Sequence, residues 1–241
     1  MDEIEKDYWW YKAKRRQVAD LVRRFTPKKK MGDWKMLDVG CGTGCMLRDL
    51  KRYGKGYGVD ISEEAVKYCR RRKVGKMKVG DVTKVIPFRE KFDLVTILDV
   101  IEHIEDDEAV LRKIRGAMEM GGILVLTTSA FPRLWSYWDE VAGHYRRYTW
   151  NELKGKVQGA GFEVIYLNYT NMATLFPAVI LRWLKSRFFR SGVDEVESDF
   201  VRLPKYLNEF LVVWMGWEAW LARWVRLPFG LSYMLVARKR D

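Results

Sequence analysis

The sequence predicts an α/β fold: a Rossmann-like, doubly wound, mostly parallel seven-stranded sheet with a helical insertion before its last strand. Three observations carry this. Short apolar segments alternate with stretches of helical period from residue 35 to about 170. The run Met36-Leu37-Asp38-Val39-Gly40-Cys41-Gly42-Thr43-Gly44 leads from a strand into a glycine-rich turn, and a helix starts near Cys45. Glycines let backbone approach a ligand, and a new helix presents free N–H groups. Finally, about sixty residues, 171–230, separate the sixth strand pattern from the seventh.

Composition narrows the class. The chain has 241 residues, 48% of them hydrophobic, enough for one large domain with an elaborate insertion. A net charge of +12 admits nucleic acid, an anionic membrane surface or an acidic substrate as partner. The cysteines, Cys41, Cys45 and Cys69, are odd in number and unpatterned, which fits a reducing cytoplasm. Cys41 and Cys45 have no second Cys/His pair nearby, so no zinc site is assigned. The acidic start, Met1 to Glu5, lacks a following apolar run and predicts no signal peptide.

Residues 1–34 form an N-terminal helix and connector. Tyr11, Val18, Leu21, Val22 and Phe25 recur at helical spacing, ended by Thr26-Pro27. The helix either packs its aromatic start on the domain or forms a lid that brings Arg15 or Arg16 to the ligand. Residues 35–170 form the core, with strands expected at Lys35–Val39, Gly56–Asp60, Lys76–Asp81, Phe92–Asp99, Ile123–Thr128 and Phe162–Tyr169. The fourth is nearly all apolar, as a central parallel strand should be. Ser62-Glu63-Glu64 starts one helix, Asp107–Met118 is another, and Trp150–Ala160 is closed by Gly161. Residues 231–241 supply the final strand and a basic tail.

Ligands of such sheets sit beyond the carboxyl ends of the strands. Asp38, Asp60, Asp81 and Asp99 all fall at such ends. Asp60 follows Gly40 at about the spacing that lets an acid bond ribose hydroxyls. Cys45 stands where a dinucleotide fingerprint needs its third glycine. A nicotinamide enzyme would explain Asp60 but neither Asp38 nor Gly80-Asp81.

These motifs, in this order over roughly residues 35–170, resemble those of class I S-adenosylmethionine (SAM) methyltransferases. The resemblance implies S-adenosyl-L-methionine as cofactor and S-adenosylhomocysteine as product. It implies that Asp38 holds the methionine amine, while Gly40, Cys41, Gly42 and Gly44 carry the loop beneath the ligand. Asp60 takes the ribose hydroxyls with Ile61 against adenine, Asp81 accepts from the adenine amino group beside Val82, and Asp99 begins the substrate-facing loop.

Asp99-Val100-Ile101-Glu102-His103 resembles the acidic-x-x-Glu-His segment of ubiquinone-biosynthesis-type O-methyltransferases. Gly143-His144-Tyr145-Arg146-Arg147-Tyr148 is similar to a segment of methyltransferases from glycan and lipid pathways. His103 is the first candidate base for a hydroxyl acceptor and His144 the second. His103 equally reads as a helix cap, and Asp99, Glu102 and His103 would share a face and hold a cation if their loop formed a helical turn. Arg146 and Arg147 suit a phosphate or carboxylate at the substrate rim, or else a solvated loop. Trp135 and Trp138 would exclude water.

The expected activity is SAM-dependent O-methylation of a small, lipid-linked or glycan-like acceptor. The alternatives are an RNA methyltransferase, which the motifs do not favour, and a non-catalytic SAM-binding partner protein. Within the insertion, Leu175–Leu181 runs into Arg182, Lys185, Arg187 and Arg190, and a second apolar run spans Phe210 to Trp224. Neither reaches the roughly 18 uncharged apolar residues of a spanning helix. They read as interfacial helices, a lid or a homodimer face, with peripheral attachment to an anionic inner membrane surface as the sharpest expectation.

Overall fold

The computed structural model describes residues 2–26, 32–172, 174–175 and 203–240. Seven strands form one sheet in the order β3-β2-β1-β4-β5-β7-β6. They are β1 Trp34–Val39, β2 Gly54–Asp60, β3 Lys76–Val79, β4 Phe92–Leu98, β5 Met118–Ser129, β6 Phe162–Thr170 and β7 Ser232–Lys239. The first five pair in parallel, and β7 runs antiparallel to both β5 and β6. Strand order reverses between β1 and β4, and the glycine-rich turn follows β1 at that point.

The helices are α1 Asp2–Asp7, α2 Trp9–Phe25, α3 Cys45–Leu50, α4 Glu63–Arg72, α5 Asp107–Ala117, α6 Tyr137–Val141, α7 Trp150–Gly159 and α8 Lys205–Leu221. Their boundaries follow local chemistry. Ser62 caps α4 through Ala65 N, Asp106 caps α5 through Ala109 N, and Thr149 with Glu152 forms a full capping box on α7. Two apolar layers sandwich the sheet. One holds Leu37, Ile97, Leu124 and Leu235 with α5 and α7; the other holds Met36, Leu94, Val125 and Val236 with Val18, Leu21 and Val22 of α2. Burying each such side chain contributes on the order of 1.5–3 kcal/mol.

The expected elements that fall on the described residues are present, with three differences. Strand β5 begins at Met118 rather than Ile123, because Phe92 pairs with Met118 before the register shifts ahead of Leu94–Ile123. Gly121, at φ +74°, turns the chain there. Strand β3 stops at Val79, leaving Gly80-Asp81 as loop. A short α1 precedes α2.

The second apolar run of the insertion is α8, which packs Val212 and Met215 against Trp9 and Ala13 of α2. Gln17 Nε2 donates to Met215 O at 3.2 Å, and buried Glu218 accepts from Met172 N at 2.9 Å. No helix among the described residues is long and apolar enough to cross a membrane. The expected basic edge, Arg182, Lys185, Arg187 and Arg190, lies outside the described residues. The insertion leaves β6 after Thr170 and rejoins β7 at Ser232, and those two residues are register partners.

Candidate active site

A cavity of about 590 Å³ opens at the carboxyl ends of β1, β2 and β4, within the roughly 300–1,000 Å³ usual for small-molecule sites. Asp38, Gly40, Cys41, Gly42 and Asp60 line one side; Ile61, Asp81 and Val82 line the next; Asp99 and His103 close the far end. Gly44 is not in the wall. It caps α3 at φ +81°, where a Cβ would stand 2.7 Å from Cys69 Sγ, so its role is to turn the loop.

The loop leaves little space beneath it. Gly40 has φ +70°, and a Cβ there would lie 2.3 Å from Val100 Cγ2. Only glycine lets β1 end this close to the loop after β4. Cys41 Sγ lies 3.8 Å from Cys69 Sγ; that contact and burial push the Cys41 thiol pKa far up, so it is an uncharged floor residue.

The four strand-end acids have four different environments. Asp38 is buried and accepts from Thr96 Oγ1 at 2.6 Å. Burial raises its pKa to about 7, opposed by the Thr96 bond and reinforced by the Glu5 and Asp60 carboxylates. Asp60 accepts from Gly42 N and Ser62 N, each at 2.9 Å, one bond per oxygen, and keeps lone pairs for a ligand. Asp81 is held below the usual carboxylate range by the hydroxyl and backbone N–H of Thr83, at 2.6 and 2.9 Å. Asp99 sits in the left-handed region at φ +53°, accepts from Thr127 Oγ1 at 2.7 Å and pairs with Lys14 Nζ. Strain of this kind collects at functional sites.

The N-terminal helices roof the cavity. Glu5, Tyr11, Lys14 and Arg15 all line it. Glu5 Oε2 accepts from Thr43 N at 3.0 Å, and Arg15 is tied to Asp49 at 2.8 Å and to the Glu5 and Lys6 carbonyls. Lys14 is buried, which lowers its pKa to about 8. Of the two arginines expected near the ligand, Arg15 is there and Arg16 lines a different cleft. Sequence reasoning missed Lys14 and Glu5; Lys14, one position before Arg15 in the basic triplet, was the available signal.

His103 ends a 3-10 turn, Ile101–His103, and reaches the cavity wall. Its pKa is lowered, first by burial and also by His144, against Glu102 and the Ala142 and Gly143 backbone. His144 does not line the cavity. It meets His103 edge to face, and its Nδ1 lies 3.0 Å from Asp139 Oδ1.

Two expectations for these segments are corrected. Glu102 does not join Asp99 and His103 on one face: it is buried and accepts from Thr128 Oγ1 at 2.9 Å and Ser129 N at 3.2 Å. A 3-10 turn, unlike an α-turn, leaves that carboxylate directed at β5. Arg146 and Arg147 are not a free anion rim. Arg147 is buried between Asp139 and Ala130 O, at 2.7 and 3.1 Å, and Arg146 bonds Asp107 Oδ2 at 3.0 Å. Asp107 also accepts from Tyr148 OH and Lys156 Nζ, at 2.7 and 2.8 Å, so the segment is a buried structural network. Trp135 is exposed and bonds Glu140.

Fold and site define a SAM-dependent transferase. The chain belongs to the methyltransferase domain family, whose model, described as "Methyltransferase domain", matches residues 9–167. S-adenosyl-L-methionine is the cofactor, and the cavity fits it: a lining of Gly40 and Gly42 backbone and the strand-end acids Asp38, Asp60, Asp81 and Asp99. A ubiquinone biosynthesis O-methyltransferase of Bradyrhizobium sp. (strain ORS 278) is 31% identical over 100 residues, 39% of this chain and 39% of that protein. The chain thus matches about two-fifths of the length of the curated relatives. A chain of the complex between the Haloferax volcanii Trm112 methyltransferase activator and a methyltransferase is similar in fold at TM-score 0.64 and 18% identity, covering 100% of this chain and 93% of that one. Haemonchus contortus phosphoethanolamine N-methyltransferase 2, solved with SAM, matches at TM-score 0.59 and 20% identity, covering 94% and 52%.

Proposed function

We propose that this protein transfers a methyl group from SAM to a hydroxyl of a small, lipid-linked or glycan-like acceptor bound at the His103 end of the cavity. Bound SAM supplies an already activated methyl on its sulfonium. The chain's own contribution is therefore position, water exclusion and removal of one proton. The observation that carries the reading is His103 at the cavity wall with His144 and Asp139 behind it.

In this reading Asp38 faces the methionine amine, Asp60 takes the ribose hydroxyls, and Asp81 accepts from the adenine amino group between Ile61 and Val82. Lys14 holds Asp99 at the mouth of the acceptor end. His103 takes the hydroxyl proton, and its lowered pKa keeps the ring neutral and able to accept. His144 backs it, oriented by Asp139, which Arg147 in turn fixes. The partial likeness to ubiquinone O-methyltransferases supports oxygen as the methylated atom.

The acceptor reading includes attachment of the protein to the inner face of a membrane. Methyl transfer from labelled SAM to fractionated lipid, polar-metabolite and RNA extracts tests the acceptor class. Label in the lipid or polar fraction is expected. Label in RNA alone, or none in any fraction, would sink the reading.

A further inference from the structure

A second cleft, of about 410 Å³, lies on the other side of α2, where α2 meets α8. Its floor is small and apolar: Ala13, Ala19, Val212 and Gly216. Its walls carry Arg16, Arg23, Arg52 and Arg223 against one acid, Asp20, an excess of three positive charges. Asp20 Oδ1 holds Arg23 at 2.7 Å and Arg223 at 2.6 Å, which sets two guanidinium groups side by side. Arg223 Nε is buried with no hydrogen-bond acceptor. Among the described residues Arg52 meets only the Tyr53 ring and hydroxyl, while Arg16 lies within electrostatic reach of Glu209 on α8. Arginine presents planar forks of donors that take a phosphate bidentately, and Arg52 and the Arg223 Nε keep donors for one.

The same helix presents a second feature beside this one. Val213 lines both the arginine cleft and an apolar groove along α8. Phe210, Trp214, Trp217 and Trp220 stand on that groove, each at least half exposed, and Trp224 follows at 76%. Tryptophan favours the headgroup level of a bilayer, and arginine beside it favours an anionic leaflet. A water-soluble phosphate ligand would use the arginines and leave five exposed rings without a purpose. A partner helix would use the rings and leave Arg52 and the buried Arg223 Nε unmatched. An anionic lipid uses both.

We propose that the cleft between α2 and α8 binds the phosphate of an anionic phospholipid headgroup, with the aromatic face of α8 seated at the membrane interface. This rests on the membrane-attached reading above and supplies its site. It also sets orientation: α2 turns Lys14 and Arg15 to the cofactor cavity and Arg16 and Arg23 to the cleft.

Flotation of the full chain with vesicles of phosphatidylcholine alone, or with one-third phosphatidylglycerol, tests the proposal. Wild type is expected to float with the anionic vesicles at low salt and to stay down with neutral ones. The Arg16→Glu/Arg52→Glu double variant should lose about tenfold or more in partitioning, and Trp214→Ala/Trp217→Ala should lose binding even at low salt. SAM binding by calorimetry should be equal in all three proteins, which shows that each variant is folded. If wild type fails to float, or binds inorganic pyrophosphate in solution yet ignores vesicles, the lipid site and the membrane reading fall together. If wild type floats and the arginine variant floats equally, the cleft assignment alone falls.

Discussion

His103 and His144 meet edge to face, with ring centroids 4.6 Å apart and an interplanar angle of 83°. The pair places one imidazole on the cavity wall and the other against a buried carboxylate. Replacing His103 by alanine should lower turnover by roughly 10²–10⁴-fold with little change in SAM affinity. Because burial and His144 depress its pKa, the rate should fall in acid with a midpoint below the ordinary histidine range. Steady-state kinetics across pH checks this, and a His103→Ala protein with full turnover would make the ring structural.

Asp38 should make cofactor binding depend on pH. In the folded protein its pKa is about 7 against an ordinary 3.8, so the folded state holds a proton the unfolded chain has lost. Asp38 therefore lowers stability as pH rises from 3.8 toward 7, and its cost is constant above that. A ligand ammonium would favour the charged form. SAM affinity should rise as pH climbs through 7 and level off above it, by up to about tenfold per pH unit on the rising limb. Asp38→Asn should flatten that profile in calorimetry while raising the melting temperature of the ligand-free protein at pH 8.

Asp60 gives one oxygen to each of two backbone donors and lines the cavity. Asp60→Ala should weaken SAM and S-adenosylhomocysteine by about 1.5–3 kcal/mol, the usual worth of hydrogen bonds to a charged acceptor. Titration with NAD should give no heat. NAD binding with SAM inert would overturn the cofactor assignment's structural basis.

The Glu102 carboxylate is committed to Thr128 and Ser129. Glu102→Ala should cost about 1–3 kcal/mol of stability by leaving those donors unsatisfied. Turnover should be unchanged by a chelator, since Asp99 and His103 lack their third member. Activity lost to chelator and restored by magnesium would contradict this placement.

Asp107 anchors the Tyr145–Tyr148 segment. Burial alone would raise its pKa, but Lys156, Tyr148 and Arg146 hold it below the usual range. Its contribution is present above the ordinary carboxylate pKa and is lost as pH falls through the depressed value. Asp107→Ala should lower stability by about 3–5 kcal/mol, as removal of one member of a buried charge network does. Thermal melts of the variant at pH 7, and of wild type in acid, check both parts.

The strand-end acids were legible because a strand's end and its acid are adjacent in sequence, and the glycine loop was legible for the same reason. The roof was not. Glu5 and Lys14 reach the cavity only because α1 and α2 fold back over the sheet, a contact between residues some forty to ninety positions apart that no local period encodes. Strand direction was equally silent: β7 is buried at six successive positions, and such a run reads alike parallel or antiparallel. The arginines of the Arg146-Arg147 pair looked like a ligand site because their partners, Asp107 and Asp139, come from two other helices or their ends. Composition cannot distinguish a guanidinium that awaits an anion from one already paired.

Thr170 and Ser232 stand opposite each other in the sheet. The insertion is thus a hairpin loop grown to some sixty residues, and its two stalks are zipped together whatever lies between them. Loop-closure entropy rises only as the logarithm of length, so lengthening the stretch between Thr170 and α8 costs the fold about 0.6 kcal/mol per doubling. The strand-end acids lie in the parallel half of the sheet, and α8 couples the insertion to them through its packing on α2. A protein built this way can acquire a new destination or a new acceptor by rewriting the stretch ahead of α8 while α8 keeps α2 seated over the cavity.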